Sequence, residues 1–317
     1  MIIDTFSIYN EVELAIGRLN HLDAFVDKVV IVESDRAYSG IAKNRVFDEV
    51  LARAPNPGKI IHVPIEFPGH DIEPWERERI QRDAIVQAVS PFTDARILVS
   101  DADEIVDPVV FERVDAADLR ANGPMPISIL NCYFHPNYVN VAGPETEVWG
   151  PYIGLPSHLR DSGATKIRHA FIGAPFGDRL QRSLRMGGWH FSYMGDQAFY
   201  EGKFASMAHR EPDVQAAKSL SIREMIGGRR GPFDHRAPGY VWALLDPEHV
   251  RVPPSFRRHC LTSLPYDSLF QVAARMENAR IDTLSPEQLS TLPRGDLLKA
   301  LRLRLKRLAK RLGTLPA

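Results

Sequence analysis

Residues 97–105 read ILVSDADEI, and the stretch passes from apolar residues into three carboxylates within one turn. Ile97, Leu98 and Val99 have the character of a buried strand; Asp101, Asp103 and Glu104 follow at once. Like charges this close repel unless a cation or a hydrogen-bond donor sits among them. Two carboxylates two residues apart, on a turn after a core strand, suit a hard divalent cation such as Mg²⁺ or Mn²⁺. Such an ion takes oxygen ligands and keeps positions open for phosphate oxygens. The competing reading makes the acids caps and favourable charge for a helix expected over 107–119. Asp107-Pro108 is the better cap for that helix, so capping leaves Asp101 and Asp103 unexplained, and a metal–diphosphate role stands beside the capping reading.

A second candidate is GGWHFSYMG, residues 187–195. Trp189, Phe191 and Tyr193 alternate as on a strand with one packed face, which puts His190 on the other. A lone histidine is more often a satisfied structural residue than a ligand; the small residues around this one keep the ligand reading open. Upstream, Arg179, Arg182 and Arg185 read as a solvated helix face.

The elements that must position these residues are legible in the first third. Strands are expected at 2–8, 28–34, 59–63 and 96–100. Helices are expected over 11–25, around 43–53 and from Pro74 onward. Strand and helix alternate, and the strands are apolar on both faces. That pattern predicts an α/β fold, a mostly parallel sheet flanked by helices, with ligands at the carboxyl ends of the strands. Asn10 and Glu11 follow the first strand and Glu33 ends the second, so these three are candidates for hydrogen bonding to a nucleotide base or ribose, or for capping. His62 and Glu66 read as loop polarity. From 126 to 195 the chain is rich in aromatic, Gly and Pro residues and predicts strands and long loops.

Composition narrows the classes. The 317 residues carry a net charge of −1, which gives no general attraction to nucleic acid. The two cysteines make neither a disulfide framework nor a zinc cluster. No basic leader with a long apolar core opens the sequence and no apolar run spans a bilayer, so a cytoplasmic location is expected.

In order and spacing, several motifs together resemble glycosyltransferase family 17, whose animal members are β-1,4-mannosyl-glycoprotein 4-β-N-acetylglucosaminyltransferases. They are YNEVELAIGRLNHL (with Asn10, Glu11 and Arg18), VIVESDRAYSG, Arg82 in IQRDAI, DADEI, GGWHFSYMG, FYEGKFASMAH and SIREMIGG before FDH. The resemblance runs from about residue 3 to 235. It implies a GT-A-like catalytic domain over 1–240 and a transferase that inverts the anomeric carbon and uses Mn²⁺ or Mg²⁺. UDP-N-acetylglucosamine is the implied donor. Metal ligands would be Asp101, Asp103 and His190. Asn10, Glu11, Arg18, Glu33, Lys43, Arg82, Asp101 and Arg223 would face the donor. Inversion needs a base for the acceptor hydroxyl, and Asp196, Glu201, His209 and Glu211 are the candidates. The animal enzymes carry an N-terminal membrane anchor that is not expected here, so their N-glycan acceptor is not carried over; a glycan or a lipid-linked glycan remains.

Beyond 240 the resemblance fades, and 241–317 is expected to be a helical extension. Its last part, residues 294–312, is an amphipathic helix with Leu297, Leu301, Leu305, Leu308 and Leu312 on one face and basic residues elsewhere. It either packs on the domain or lies on an anionic membrane surface, peripheral to the inner face. Rival classes are a nucleotidyltransferase on a related sheet and a non-catalytic carbohydrate-binding protein, besides a phosphatase or mutase with an aspartyl nucleophile, for which DADEI comes too late and too acidic. The first would want a glycine-rich basic loop after the first strand, which SIYNEVEL lacks. The second does not account for acids at successive strand ends.

Overall fold

The computed structural model describes residues 1–283, apart from 70, 144, 175–177, 179–180 and 237–238. The first half follows the alternation in the sequence. Strand β1 (Ile2–Ile8) leads to α1 (Val12–Leu22), β2 (Lys28–Ser34), α2 (Phe47–Ala52), β3 (Ile60–Ile65), α3 (Pro74–Val89) and β4 (Arg96–Val99). β1 pairs in parallel with both β2 and β4, and β2 with β3. Both faces of these strands are covered. Phe6, Ile8 and Leu98 pack with Ala15, Leu19 and Leu22 of α1. Ile3, Val30, Ile97 and Val99 pack on the opposite face with Ile85 and Val89 of α3. Burial of each such side chain contributes about 1.5–3 kcal/mol before chain entropy is counted. It fixes β4, and therefore the turn that follows it, in the middle of the sheet.

The second half is built differently. After the acidic turn come β5 (Glu104–Val106), α4 (Ala116–Asn122), β6 (Met125–Tyr133), β7 (Tyr138–Ala142) and β8 (Glu147–Gly154). Helices α5 (Pro156–Ser162) and α6 (Ala164–Gly173) precede β9 (Gly188–Ser192). Then follow α7 (Gln197–Ser206), α8 (Pro212–Ala216), α9 (Ile222–Gly227), β10 (Val241–Leu244) and α10 (Leu269–Thr283). The sheet order is β10-β7-β6-β8-β4-β1-β2-β3, with β9 against β6 and β5 against β9. β8 runs antiparallel to β4 and β6, β7 to β6, and β10 to β7. Parallel pairing is thus confined to β1–β4 and to β6 with β9, and the whole is a mixed α/β sheet flanked by helices.

Two expectations change. The helix expected over 107–119 is two pieces: a 3₁₀ turn at Pro108–Glu112, whose first N–H groups Asp107 caps, and α4, capped by Asp115. Tyr193 does not share the face of Trp189 and Phe191. It turns at φ +57° into an aromatic cluster with Tyr133, Tyr200 and Phe204, while Trp189 and Phe191 pack with Leu14 and Phe256. Residues beyond the boundary expected at 240 also contact the earlier elements. β10 extends the sheet, the Trp189 indole donates to Val250 O, and the Phe256 ring sits where a Cβ on Gly17 of α1 would fall. The amphipathic stretch 294–312 lies outside the described residues.

Candidate active site

The acidic turn leaves the carboxyl end of β4, and β5 then crosses to pair antiparallel with β9, setting Glu104 opposite His190. Close approach of these two strands depends on Gly188, where a Cβ would strike the Ile105 carbonyl oxygen. From below, the turn is held by Arg18 of α1, which is fully buried. Its guanidinium donates to both oxygens of buried Asp4, at 2.8 and 2.5 Å. It also donates to Ser100 Oγ at 2.6 Å and to the carbonyls of Asp101 at 2.8 Å and Glu104 at 3.1 Å. Arg18 shapes the turn and does not reach a donor, which corrects the expectation that it faces one.

The turn's carboxylates are matched one by one by cations from distant elements. Asp101 accepts from Arg82 of α3 and from Arg168 of α6, each at 2.9 Å. Arg168 also grips buried Glu104 with two hydrogen bonds of 2.8 Å. Gly150 of β8 makes room for that pair, since a Cβ there would lie 2.5 Å from Arg168 Nη1. Asp103 pairs with Lys203 of α7, Nζ to Oδ2 2.5 Å, and His190 Nε2 stands 3.6 Å from the same oxygen. Like-charge repulsion in the turn is therefore relieved from within the chain. Arg168 and Lys203 were missed in the sequence; the available signal was a single basic residue within an otherwise aromatic helix, FYEGKF.

These pairings set the proton affinities. Burial pushes the Asp101 carboxyl up, but Arg168 and Arg82 overcome it and hold it at about 2. Burial likewise opposes Asp103, and Lys203 with His190 holds it well below the usual carboxylate range. Burial would lower the Lys203 ammonium, and Asp103 more than offsets this and raises it. A carboxyl depressed in the folded state contributes stability above its ordinary value of 3.8 and loses it as pH falls through the folded value. Folding stability is thus expected to drop steeply between about pH 4 and 2. Asp101→Asn should flatten that part of an acid titration followed by circular dichroism; an unchanged slope would contradict the assignment.

A cleft of about 730 Å³ opens beside the turn, its walls including Arg168, His190, Asn131, Tyr133, Trp149 and His209. Of the expected bases, His209 lies on this wall and its Nδ1 is 3.1 Å from Glu211. Asp196 and Glu201 do not line the cleft. Asp196 caps α7 through Phe199 N, and Glu201 bonds Gln197. Asp196 and Arg223 instead line a separate groove, so neither belongs to the acidic turn.

The expected donor contacts divide in the same way. Glu33 is fully buried, accepting from Lys43 Nζ at 3.1 Å and Val46 N at 2.6 Å, so this pair braces the loop after β2 and is not offered to a nucleotide. Arg82 is buried against Asp101 and Glu78. Glu11 turns back on the N–H groups of Tyr9 and Asn10, and Asn10 is exposed at the rim. Arg182 bonds Asp118 and the carbonyls ending α4, and Arg185 bonds Glu147; Arg179 lies outside the described residues.

Among the described residues, no three His, Cys, Asp or Glu side chains converge as a ligand set. Asp101 is paired with two guanidiniums, Arg82 and Arg168. Asp103 and His190 do fit a divalent cation. Their donor atoms lie 3.6 Å apart, and the other imidazole nitrogen, Nδ1, is buried with no hydrogen-bond partner. One or two protein ligands suffice where a diphosphate and water complete the shell.

Residues 1–120 match the model of glycosyltransferase family 17. The match takes in the parallel half of the sheet and the acidic turn, covers less than half of the chain, and ends before GGWHFSYMG. Among solved structures, 4-diphosphocytidyl-2C-methyl-D-erythritol synthase aligns at 12% identity and TM-score 0.34, over 68% of this chain and 93% of that one. Galactosyltransferase LgtC, in complex with donor and acceptor sugar analogs, aligns at 12% identity and TM-score 0.30, over 67% and 81%. Likenesses this distant carry no argument about the site. No curated protein matches the chain. Among the described residues, no helix is long and apolar enough to cross a membrane.

Proposed function

We propose that the protein is an inverting, metal-dependent transferase that moves a sugar, N-acetylglucosamine, from UDP to a hydroxyl of a glycan or glycolipid. The observation that carries this reading is the meeting of Asp103, His190 and Lys203 at the carboxyl end of the sheet, beside the cleft. A sugar leaves a nucleoside diphosphate slowly because negative charge gathers on the departing phosphate. Asp103 and His190 would hold Mn²⁺ or Mg²⁺, and the ion supplies charge neutralisation for that leaving group. Arg18, Arg82 and Arg168 do their work beforehand, by fixing the turn so that Asp103 is aimed without reorganisation. Inversion is a single displacement, and the acceptor hydroxyl must lose its proton as it attacks. His209 suits that role: Glu211 holds Nδ1, which leaves Nε2 to take the proton. Tyr133 and Trp149 line the same wall. The basic amphipathic stretch 294–312 supports an acceptor carried on an anionic membrane surface.

Calorimetric titration with UDP tests the donor side. Affinity is expected to rise sharply when Mn²⁺ replaces EDTA; equal affinity in both would overturn the metal-dependent reading.

A further inference from the structure

We propose that Lys203 occupies, in the donor-free protein, the place a divalent cation takes beside Asp103, so that metal and donor diphosphate bind cooperatively. This rests on the reading of Asp103 and His190 as metal ligands. Lys203 Nζ is 2.5 Å from Asp103 Oδ2, the oxygen that also faces His190. A divalent ion bound to that oxygen would sit at about 2.1 Å from it. An ammonium and a divalent ion on one oxygen at such distances repel strongly, which favours departure of the lysine when the metal takes that oxygen. Its four-carbon stem allows this. Its other hydrogen-bond partner is weak, Ser192 Oγ at 3.5 Å, with the Tyr193 ring 5.2 Å away; the Glu11 and Asp101 carboxylates act on it from farther off. The side chain is only 19% exposed, so an ammonium stripped of its carboxylate is poorly solvated.

Charge counting gives the consequence. Asp103 and Lys203 together are neutral. A divalent ion alone leaves the pair with two excess positive charges, and a sugar nucleotide alone leaves it with about two excess negative ones. Both together restore neutrality, with the released lysine facing a phosphate in place of Asp103. Each ligand therefore removes the penalty the other meets. Such coupling between sites is reciprocal and typically spans about 5- to 150-fold in affinity. Lys203 is a positioning residue in this scheme: it acts through Asp103 on the metal, and then on the diphosphate.

The test is Mn²⁺ binding to the full chain, measured by electron paramagnetic resonance with and without UDP, for wild type, Lys203→Met and Lys203→Arg. In the wild type, UDP is expected to tighten Mn²⁺ binding about tenfold or more. Lys203→Met should bind Mn²⁺ more tightly than wild type without UDP and lose most of the coupling. Lys203→Arg, which keeps the charge, should stay close to wild type. Thermal melting guards against a folding artefact. Mn²⁺ alone should raise the midpoint of Lys203→Met, where Asp103 lacks a counter-ion, and should barely move the wild type. If Lys203→Met binds Mn²⁺ no more tightly than wild type without UDP, while UDP still tightens wild-type Mn²⁺ binding, the proposal fails and the metal reading stands; if UDP leaves wild-type Mn²⁺ binding unchanged, both fail, because the coupling is reciprocal. If the wild type takes up no Mn²⁺ even with UDP, the metal reading fails and takes this proposal with it.

Discussion

Asp103→Asn is expected to lower sugar transfer by on the order of 10²–10³-fold, the scale seen when one preorganised group serving the developing charge is removed. The asparagine keeps the size of the side chain and loses its charge. Lys203 is then left without its carboxylate, and the metal without its anionic ligand. Some stability should be lost as well, because a partly buried ammonium becomes unpaired. The discriminating measurement is kcat/KM from released nucleoside diphosphate, taken at a temperature where circular dichroism shows the variant folded. Activity within a few-fold of wild type would mean that Asp103 is merely one half of a structural ion pair.

The second large effect is on folding. Arg18→Ala is expected to cost about 3–5 kcal/mol in urea denaturation, because it strands the buried Asp4 carboxylate and three acceptors of the turn. The Arg18 guanidinium also lies 4.5 Å from the centre of the Phe6 ring, so the loss includes packing. A double variant, Arg18→Met with Asp4→Asn, removes both charges at once and should recover much of that stability, since breaking a buried pair costs more than replacing it. It should not recover full transferase activity, because the carbonyls of Asp101 and Glu104 still lack the donor that shapes the turn. A cost below about 1 kcal/mol for Arg18→Ala would contradict the role assigned to it.

These two residues illustrate what the sequence disclosed. The acidic turn stood out because it follows an apolar run, and β1–β4 with their helices were readable from period and turn residues alone. A strand pairing in parallel and buried on both faces has a local signature. The antiparallel half has a weaker one. Its strands are set by partners far along the chain, as β8 is by β4, and its aromatics divide between two clusters that no alternation distinguishes. The counter-ions of the turn were illegible for the same reason. Arg168 and Lys203 reach Asp101 and Asp103 from 67 and 100 residues away, and contacts of that separation leave no periodic trace. Arg18 was visible as a residue of a motif, yet burial reversed its meaning: an arginine near a diphosphate-type turn reads as a phosphate contact until its side chain is seen to be sealed against Asp4. Glu33 and Lys43 followed the same course, each being the other's partner. His190 was placed by the strand alternation on the face away from Trp189 and Phe191, and that face is the one toward Asp103.

The central claim is that this cleft transfers a sugar from a nucleoside diphosphate. The direct measurement is product analysis of the purified protein with Mn²⁺, a panel of nucleotide sugars and a mixed panel of saccharide acceptors. Nucleoside triphosphates with sugar phosphates serve as the rival substrates. The account predicts release of a nucleoside diphosphate from one sugar nucleotide, UDP-N-acetylglucosamine first among them, with loss of that release in Asp103→Asn. Release of pyrophosphate from a nucleoside triphosphate, with every nucleotide sugar left intact, would contradict it and make the acidic turn that of a nucleotidyltransferase.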